Sequence, residues 1–165
     1  AVGPEGKVVG VDFCREMLDI AEEKCGGLPI ELADGNAQEL PYPDGTFDLA
    51  TIGFALRNVE SIEKTLGEMA RVVKPGGRVT SLEFTQPDNS LFRALYYLYF
   101  FKILPVVGGL VSRSKEAYSY LPDSVVKFPD KMGLKEMMEK AGLDDIEIYS
   151  LTCGIVAVHV GVKPA

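Results

Sequence analysis

Tryptophan is absent from this 165-residue chain, histidine occurs once and cysteine three times. With His159 alone, and that one in an alternating strand-like stretch, neither a histidine metal site nor a His-based nucleophilic relay has material to work with. Cys14, Cys25 and Cys153 have no CxxC spacing and sit in apolar or helical patterns. They read as reduced buried thiols rather than metal ligands or bridges. Cationic residues are in deficit, 17 Lys and Arg against 24 Asp and Glu, for a net charge of -7. No long Lys/Arg run relieves that deficit, which argues against nucleic acid as a partner. An unbroken apolar run is missing too. The greasiest stretch, Leu91 to Val111, is interrupted by Arg93, Lys102, Pro105, Gly108 and Gly109, and this excludes a membrane-spanning helix. The first residues, from Ala1 to Asp12, have the form of neither a signal peptide nor a transit peptide, so a cytoplasmic location is expected.

What is present suits a globular chain. Apolar residues make up 47% and charged residues 25% of it, enough to fill one core, and a single domain over 1–165 is expected. Lys7–Asp12 is an almost continuous apolar run ending in an acid, the pattern of a strand buried on both faces. Residues 14–25 read as a helix with Met17, Leu18 and Ala21 on one side. Ile30–Leu32 predicts a second strand, and Pro41, Pro43 and Asp44-Gly45 predict turns. Phe47–Phe54 resumes as a buried strand. Ser61 is a cap for a helix carrying Ile62, Leu66, Met69, Ala70 and Val73, which Lys74-Pro75-Gly76-Gly77 stops. Arg78–Thr85 predicts another strand. This alternation points to an α/β fold with a mostly parallel sheet and right-handed crossovers. Residues 88–128 break the rhythm with Phe92, Tyr96, Tyr97, Tyr99, Phe100 and Phe101, and read as a helical insertion. A helix around Leu134, Met137, Met138 and Ala141 follows, then two strands at 145–151 and 154–162 close enough to form an antiparallel pair.

Two strand ends carry candidate binding chemistry. An acid at the carboxyl end of a parallel strand can accept both hydroxyl protons of a nucleotide ribose, and Asp12 is so placed; the competing reading is a helix cap. Asp34-Gly35-Asn36-Ala37 follows the next strand, where side-chain and backbone groups could read an adenine edge or simply form a turn. The aromatic run 92–101 serves either as core packing or as a lid over an apolar tail.

Longer segments resemble a known family. Leu40-Pro41-Tyr42-Pro43-Asp44-Gly45-Thr46-Phe47-Asp48 and Arg71–Val79 resemble segments of Rossmann-like methyltransferases in general. Gly53-Phe54-Ala55-Leu56-Arg57-Asn58-Val59, the run Arg71–Thr85, residues 117–125 and residues 151–163 resemble the menaquinone/ubiquinone C-methyltransferases. The resemblance covers essentially the whole chain. It implies a Rossmann-like S-adenosylmethionine-dependent methyltransferase fold, with S-adenosyl-L-methionine as cofactor and a prenylated quinol as substrate, first a demethylmenaquinol. It implies that Asp12, with Phe13 beside it, binds the cofactor ribose, and that Asp34, Asn36 and Ala37 lie near the adenine. Gly53 stands where many relatives have Ser, leaving backbone contact alone. Arg57 and Asn58 would line the reaction chamber. Ring C-methylation needs a deprotonated quinol oxygen, so Arg57 is expected to stabilise the developing phenolate. Tyr118 and Tyr120 are alternative hydrogen-bonding partners.

One family feature is not found: the opening strand with its acidic, Gly-rich loop, which brings backbone close to the methionine part of the cofactor. In the usual strand order, 3-2-1-4-5-7-6, that strand lies at the centre. The expectation is therefore a fold truncated at its N-terminus with its central first strand missing. The flanking strands closing up, or another chain supplying a strand, are the other outcomes left open. So are a ubiquinone-precursor or other small-molecule substrate, a non-catalytic binding subunit that retains the fold, a peripheral membrane contact and a homo-oligomer.

Overall fold

The computed structural model describes residues 2–3, 5–103 and 124–165. Strand β1 (Val8–Asp12) leads into helix α1 (Arg15–Cys25) and strand β2 (Ile30–Asp34), which pairs with β1 in parallel. The register sets Asp12 opposite Asp34, so both acids mark the same carboxyl edge. Leu18 anchors α1 at 2% exposure, whereas Met17, expected on the packed side, stands out from it.

A second sheet runs β3 (Phe47–Gly53), β4 (Val73–Phe84), β6 (Val156–Val162), β5 (Asp144–Leu151) in spatial order. The β3–β4 pair is parallel, and β6 runs antiparallel to both β4 and β5. The sheet is thus mixed, with the closing antiparallel pair that the sequence predicts. Helix α2 (Ile62–Val72) connects β3 to β4 and is capped by Ser61, whose hydroxyl accepts the Lys64 N–H at 3.2 Å. β4 begins at Val73 rather than Arg78, because residues 73–77 are already extended. They do not pair in step: the partners jump from Phe47–Val73 to Leu49–Arg78. Gly76 makes this irregularity possible with a φ of 78°, a conformation open to glycine at little cost.

Side chains alternate across β4 and give it two packed faces. On one face, Val79 joins Leu66, Met69, Ala70, Leu134, Met138 and Leu143 from α2 and from α4 (Lys131–Lys140) with the residues after it. On the opposite face, Phe84 packs against Tyr96, Phe100 and Val125. Tyr96 belongs to α3 (Ser90–Leu98), and Phe100 to the π-helical turn Tyr99–Ile103 that continues it. The aromatic run therefore has a genuine core face. Its other face is apolar as well: Leu91, Leu95 and Leu98 are 72%, 57% and 56% exposed.

β1 and β3 do not pair. The two sheets are separate, β2–β1 and β3–β4–β6–β5, and this is the family strand order with the flanking strands held apart. No helix among the described residues is long and apolar enough to cross a membrane.

Candidate functional site

Between β1 and β3 lies an open cleft of about 1730 Å³. Its walls are the unpaired edges of these two strands, with Val9, Val11 and Asp12 from β1 and Leu49, Ala50, Thr51 and Ile52 in unbroken succession from β3. Of the residues singled out from sequence, Asp12, Phe13, Asn36, Ala37 and Asn58 line this one cleft. Asp34 and Gly53 end their strands nearby without lining it. Tyr118 and Tyr120 lie outside the described residues.

Asp12 is engaged on one side only. Its Oδ1 accepts the Cys14 N–H at 2.9 Å, which shapes the turn into α1, while Oδ2 has no hydrogen bond among the described residues. The N-cap of α1 is Cys14, without a side-chain cap, so Asp12 shapes the turn ahead of the helix rather than capping it and keeps one oxygen for a ligand. Phe13, next in sequence, is 80% exposed, an apolar ring beside a free carboxylate oxygen. Asn36 forms a local turn, its Oδ1 accepting the Gln38 N–H at 2.9 Å. Gly35 keeps that turn close to β1: its N–H donates to the Asp12 carbonyl at 3.1 Å, and a Cβ there would meet Val11 Cγ1 at 2.9 Å. An acid, a phenyl ring and a turn with open amide groups suit the ribose and base of an adenosine. The residues present fit that half of a nucleoside cofactor.

Arg57 sits beyond the cleft wall on a short 3₁₀ turn, Leu56–Asn58. Its side chain is only 11% exposed and pairs with Glu83, which is 2% exposed, at 2.7 Å between Nη1 and Oε1. Nη1 also donates to the Phe54 carbonyl at 2.6 Å, and the guanidinium lies 5.3 Å from the centre of the Phe84 ring. Nε is buried without a partner. Phe54 holds a φ of 55°, a left-handed conformation that costs an aromatic residue about 1–3 kcal/mol and is usually maintained by its surroundings at working sites. Here the Phe54 N–H donates to Leu82 at 2.9 Å, and its ring packs on Phe84 at 4.9 Å. Glu83 escaped the sequence reading. The signal was the one charge in the strand stretch Val79–Phe84, where a buried charge demands a partner.

The loop between β2 and β3 is fastened separately. Arg71 donates from Nε and Nη2 to Glu68, from Nη1 to Asp44 and the Tyr42 carbonyl, and from Nη2 to the Leu40 carbonyl. Glu68 in turn accepts the Leu40 N–H at 2.7 Å. Hydrogen bonding from Arg71 holds the Glu68 carboxyl below its usual range. The sole histidine, His159, is buried with Nε2 2.9 Å from the Lys131 carbonyl, and burial lowers its pKa.

The model of the ubiE/COQ5 methyltransferase family matches residues 1–163. The chain belongs to that family. It is 48% identical over 166 residues to the demethylmenaquinone methyltransferase of Oceanobacillus iheyensis, an alignment covering 99% of this chain and 70% of the relative. To that of Shouchella clausii it is 44% identical over 167 residues, covering 99% and 71%. Among solved structures, a SAM-dependent methyltransferase from Aquifex aeolicus superposes with a TM-score of 0.67 at 19% identity, covering 97% of this chain and 70% of that one. A phosphoethanolamine N-methyltransferase of Haemonchus contortus, in complex with S-adenosyl-L-methionine, gives 0.69 at 15%, covering 96% and 44%. The chain is accordingly a methyltransferase of the α/β, Rossmann-like fold, with S-adenosyl-L-methionine as its cofactor.

Proposed function

We propose that this ubiE/COQ5 methyltransferase methylates a ring carbon of a prenylated quinol, demethylmenaquinol first. The observation that carries the chemistry is the buried Arg57 guanidinium, whose Nε has no acceptor among the described residues and whose neighbour Asn58 lines the cleft with Asp12. The 48% identity to a demethylmenaquinone methyltransferase favours the naphthoquinol ring over a benzoquinol.

Asp12 and Phe13 would hold the ribose and Asn36 and Ala37 the base, with Asp34 and Gly53 framing the strand ends. When bound, S-adenosyl-L-methionine supplies an electrophilic methyl group. The chain's own residues prepare the quinol. Removing its hydroxyl proton puts negative charge on oxygen and, by conjugation, on the adjacent carbon. A fixed guanidinium favours that charge without itself giving up a proton, since arginine stays protonated in proteins. Water is therefore the proton acceptor, and Arg57 lowers the cost of losing the proton.

The outward Leu91, Leu95 and Leu98 stripe supports a contact with the membrane surface where such a substrate dissolves. Arg93 and Lys102 are the only charged residues between Ser90 and Ile103, a composition suited to an anionic interface. Co-sedimentation with vesicles containing phosphatidylglycerol should be lost in Leu95→Glu/Leu98→Glu.

The deciding assay offers the purified enzyme a reduced demethylmenaquinone and a ubiquinone-precursor benzoquinol in parallel, with labelled S-adenosyl-L-methionine. Label in the naphthoquinol is the expected product. Faster labelling of the benzoquinol would reassign the ring, and label in neither would end the quinol reading.

A further inference from the structure

Glu83 accepts three hydrogen bonds, two of them from Arg57. Its Oε1 accepts from Arg57 Nη1 at 2.7 Å and from the Phe84 N–H at 2.9 Å, and its Oε2 accepts the Arg57 backbone N–H at 3.2 Å. A single carboxylate thus grips Arg57 by main chain and side chain together. The other hold on the guanidinium, the Phe54 carbonyl at 2.6 Å, also acts on Nη1. Both hydrogens of Nη1 are consumed. Nε is buried with no acceptor, and Nη2 donates to nothing among the described residues. What remains is the Nε–Nη2 edge, the side of a guanidinium that presents two parallel N–H groups to one acceptor site. A buried donor without an acceptor is costly, so Nε, and the edge it shares with Nη2, calls for an oxygen that the described residues do not supply.

We propose that Glu83 is a positioning residue that fixes Arg57 with its Nε–Nη2 edge turned to the oxygen of the substrate ring. Glu83 itself touches no substrate; it acts through Arg57. Its two oxygens each face an Arg57 N–H, and this explains why a carboxylate and not an amide stands there. In Glu83→Gln one oxygen becomes an NH₂ group facing a donor, and Arg57 must turn away.

This rests on the quinol reading only for its activity readout, so the test adds a binding probe. 1-Naphthol is a ring phenol without a tail, and its ionisation is read directly by absorbance. Bound to the cofactor-loaded wild-type enzyme, it should ionise at least about one pH unit below free 1-naphthol, a tenfold preference for the anion. Glu83→Gln should halve that shift or more. It should also lower kcat for the quinol about 30-fold or more, the scale of a small misplacement, with the Kd for S-adenosyl-L-methionine changed less than twofold. In an Arg57→Leu background, Glu83→Gln should change kcat less than about threefold, because a residue acting through Arg57 has nothing left to act on. Arg57→Lys keeps a cation beside Glu83, and so the fold, but loses the planar fork; its naphthol shift should fall as well. An equal Glu83→Gln loss in both backgrounds, a wild-type shift retained by Arg57→Lys, or failure of 1-naphthol to bind or shift would overturn the assignment. A shifted naphthol in an enzyme that methylates no quinol would uphold the positioning role and discard the substrate.

Discussion

Two arginines, each beside a glutamate, divide the labour of this molecule. Arg71 uses every N–H it has: Nε, both hydrogens of Nη1 and both of Nη2 find acceptors on Glu68, Asp44, Tyr42 and Leu40. Arg57 uses its Nη1 alone, on Glu83 and Phe54, although it is the more buried of the two, at 11% against 31%. A saturated guanidinium is a staple. Arg71 ties the Leu40–Asp44 loop to α2 and has nothing left to offer a ligand. A buried guanidinium with an idle edge is in a higher-energy arrangement that a ligand oxygen can relieve. Counting ion pairs, two for Arg71 and one for Arg57, would favour the staple; counting unspent donors picks out Arg57.

The sharpest way to break the comparison is Arg57→Leu. It removes the proposed phenolate donor and should cost methyl transfer about 100- to 1000-fold, the range for losing one such donor. Cofactor affinity, measured by isothermal titration, should stay nearly intact, because Asp12 and the Asn36 turn are separate from it. Unaltered turnover would reduce Arg57 to a second staple. Arg71→Met should do the converse: little change in kcat, but a melting temperature lower by about 3–6 °C for a chain of this size. The acid response should change with it. Arg71 holds the folded Glu68 pKa below the usual 4.5. The unfolded chain therefore binds the proton first, and the stabilisation present above pH 4.5 is lost as pH falls through the folded pKa. Urea midpoints between pH 6 and 3 should fall less steeply in Arg71→Met than in the wild type, and parallel slopes would show that the pairing contributes nothing.

Strand and helix order could be read because apolar periodicity and turn residues are local signals. Val8–Asp12, Phe47–Gly53 and Ile62–Val72 lie within a residue or two of their expected limits. The start of β4 could not be read, since Lys74-Pro75-Gly76-Gly77 ends a helix whether or not the chain continues extended, and that choice belongs to the neighbouring β3. At the candidate site, Asp12 and Arg57 were singled out from their segments. Glu83 was not, because its meaning depends on a partner far away in sequence, and hydrogen bonds of that range leave no periodic trace. The family segments pointed to residues of which Asp12, Phe13, Asn36, Ala37 and Asn58 line one cleft, and only geometry told which of two Glu–Arg pairs has donors to spare.

The smallest expected effect tests the backbone under Arg57. Gly53 stands immediately before Phe54, whose carbonyl anchors the guanidinium. A Cβ at Gly53 would meet nothing within 4 Å, and its φ lies outside the left-handed region. Gly53→Ser should therefore fold with stability within about 0.5 kcal/mol of the wild type. The added hydroxyl stands at the carboxyl end of β3, where ligands of open α/β sheets bind. A modest gain in S-adenosyl-L-methionine affinity, about twofold, should follow with kcat unchanged. If kcat falls while cofactor affinity holds, the hydroxyl has displaced Phe54. The left-handed turn, more than Glu83, would then set the position of Arg57.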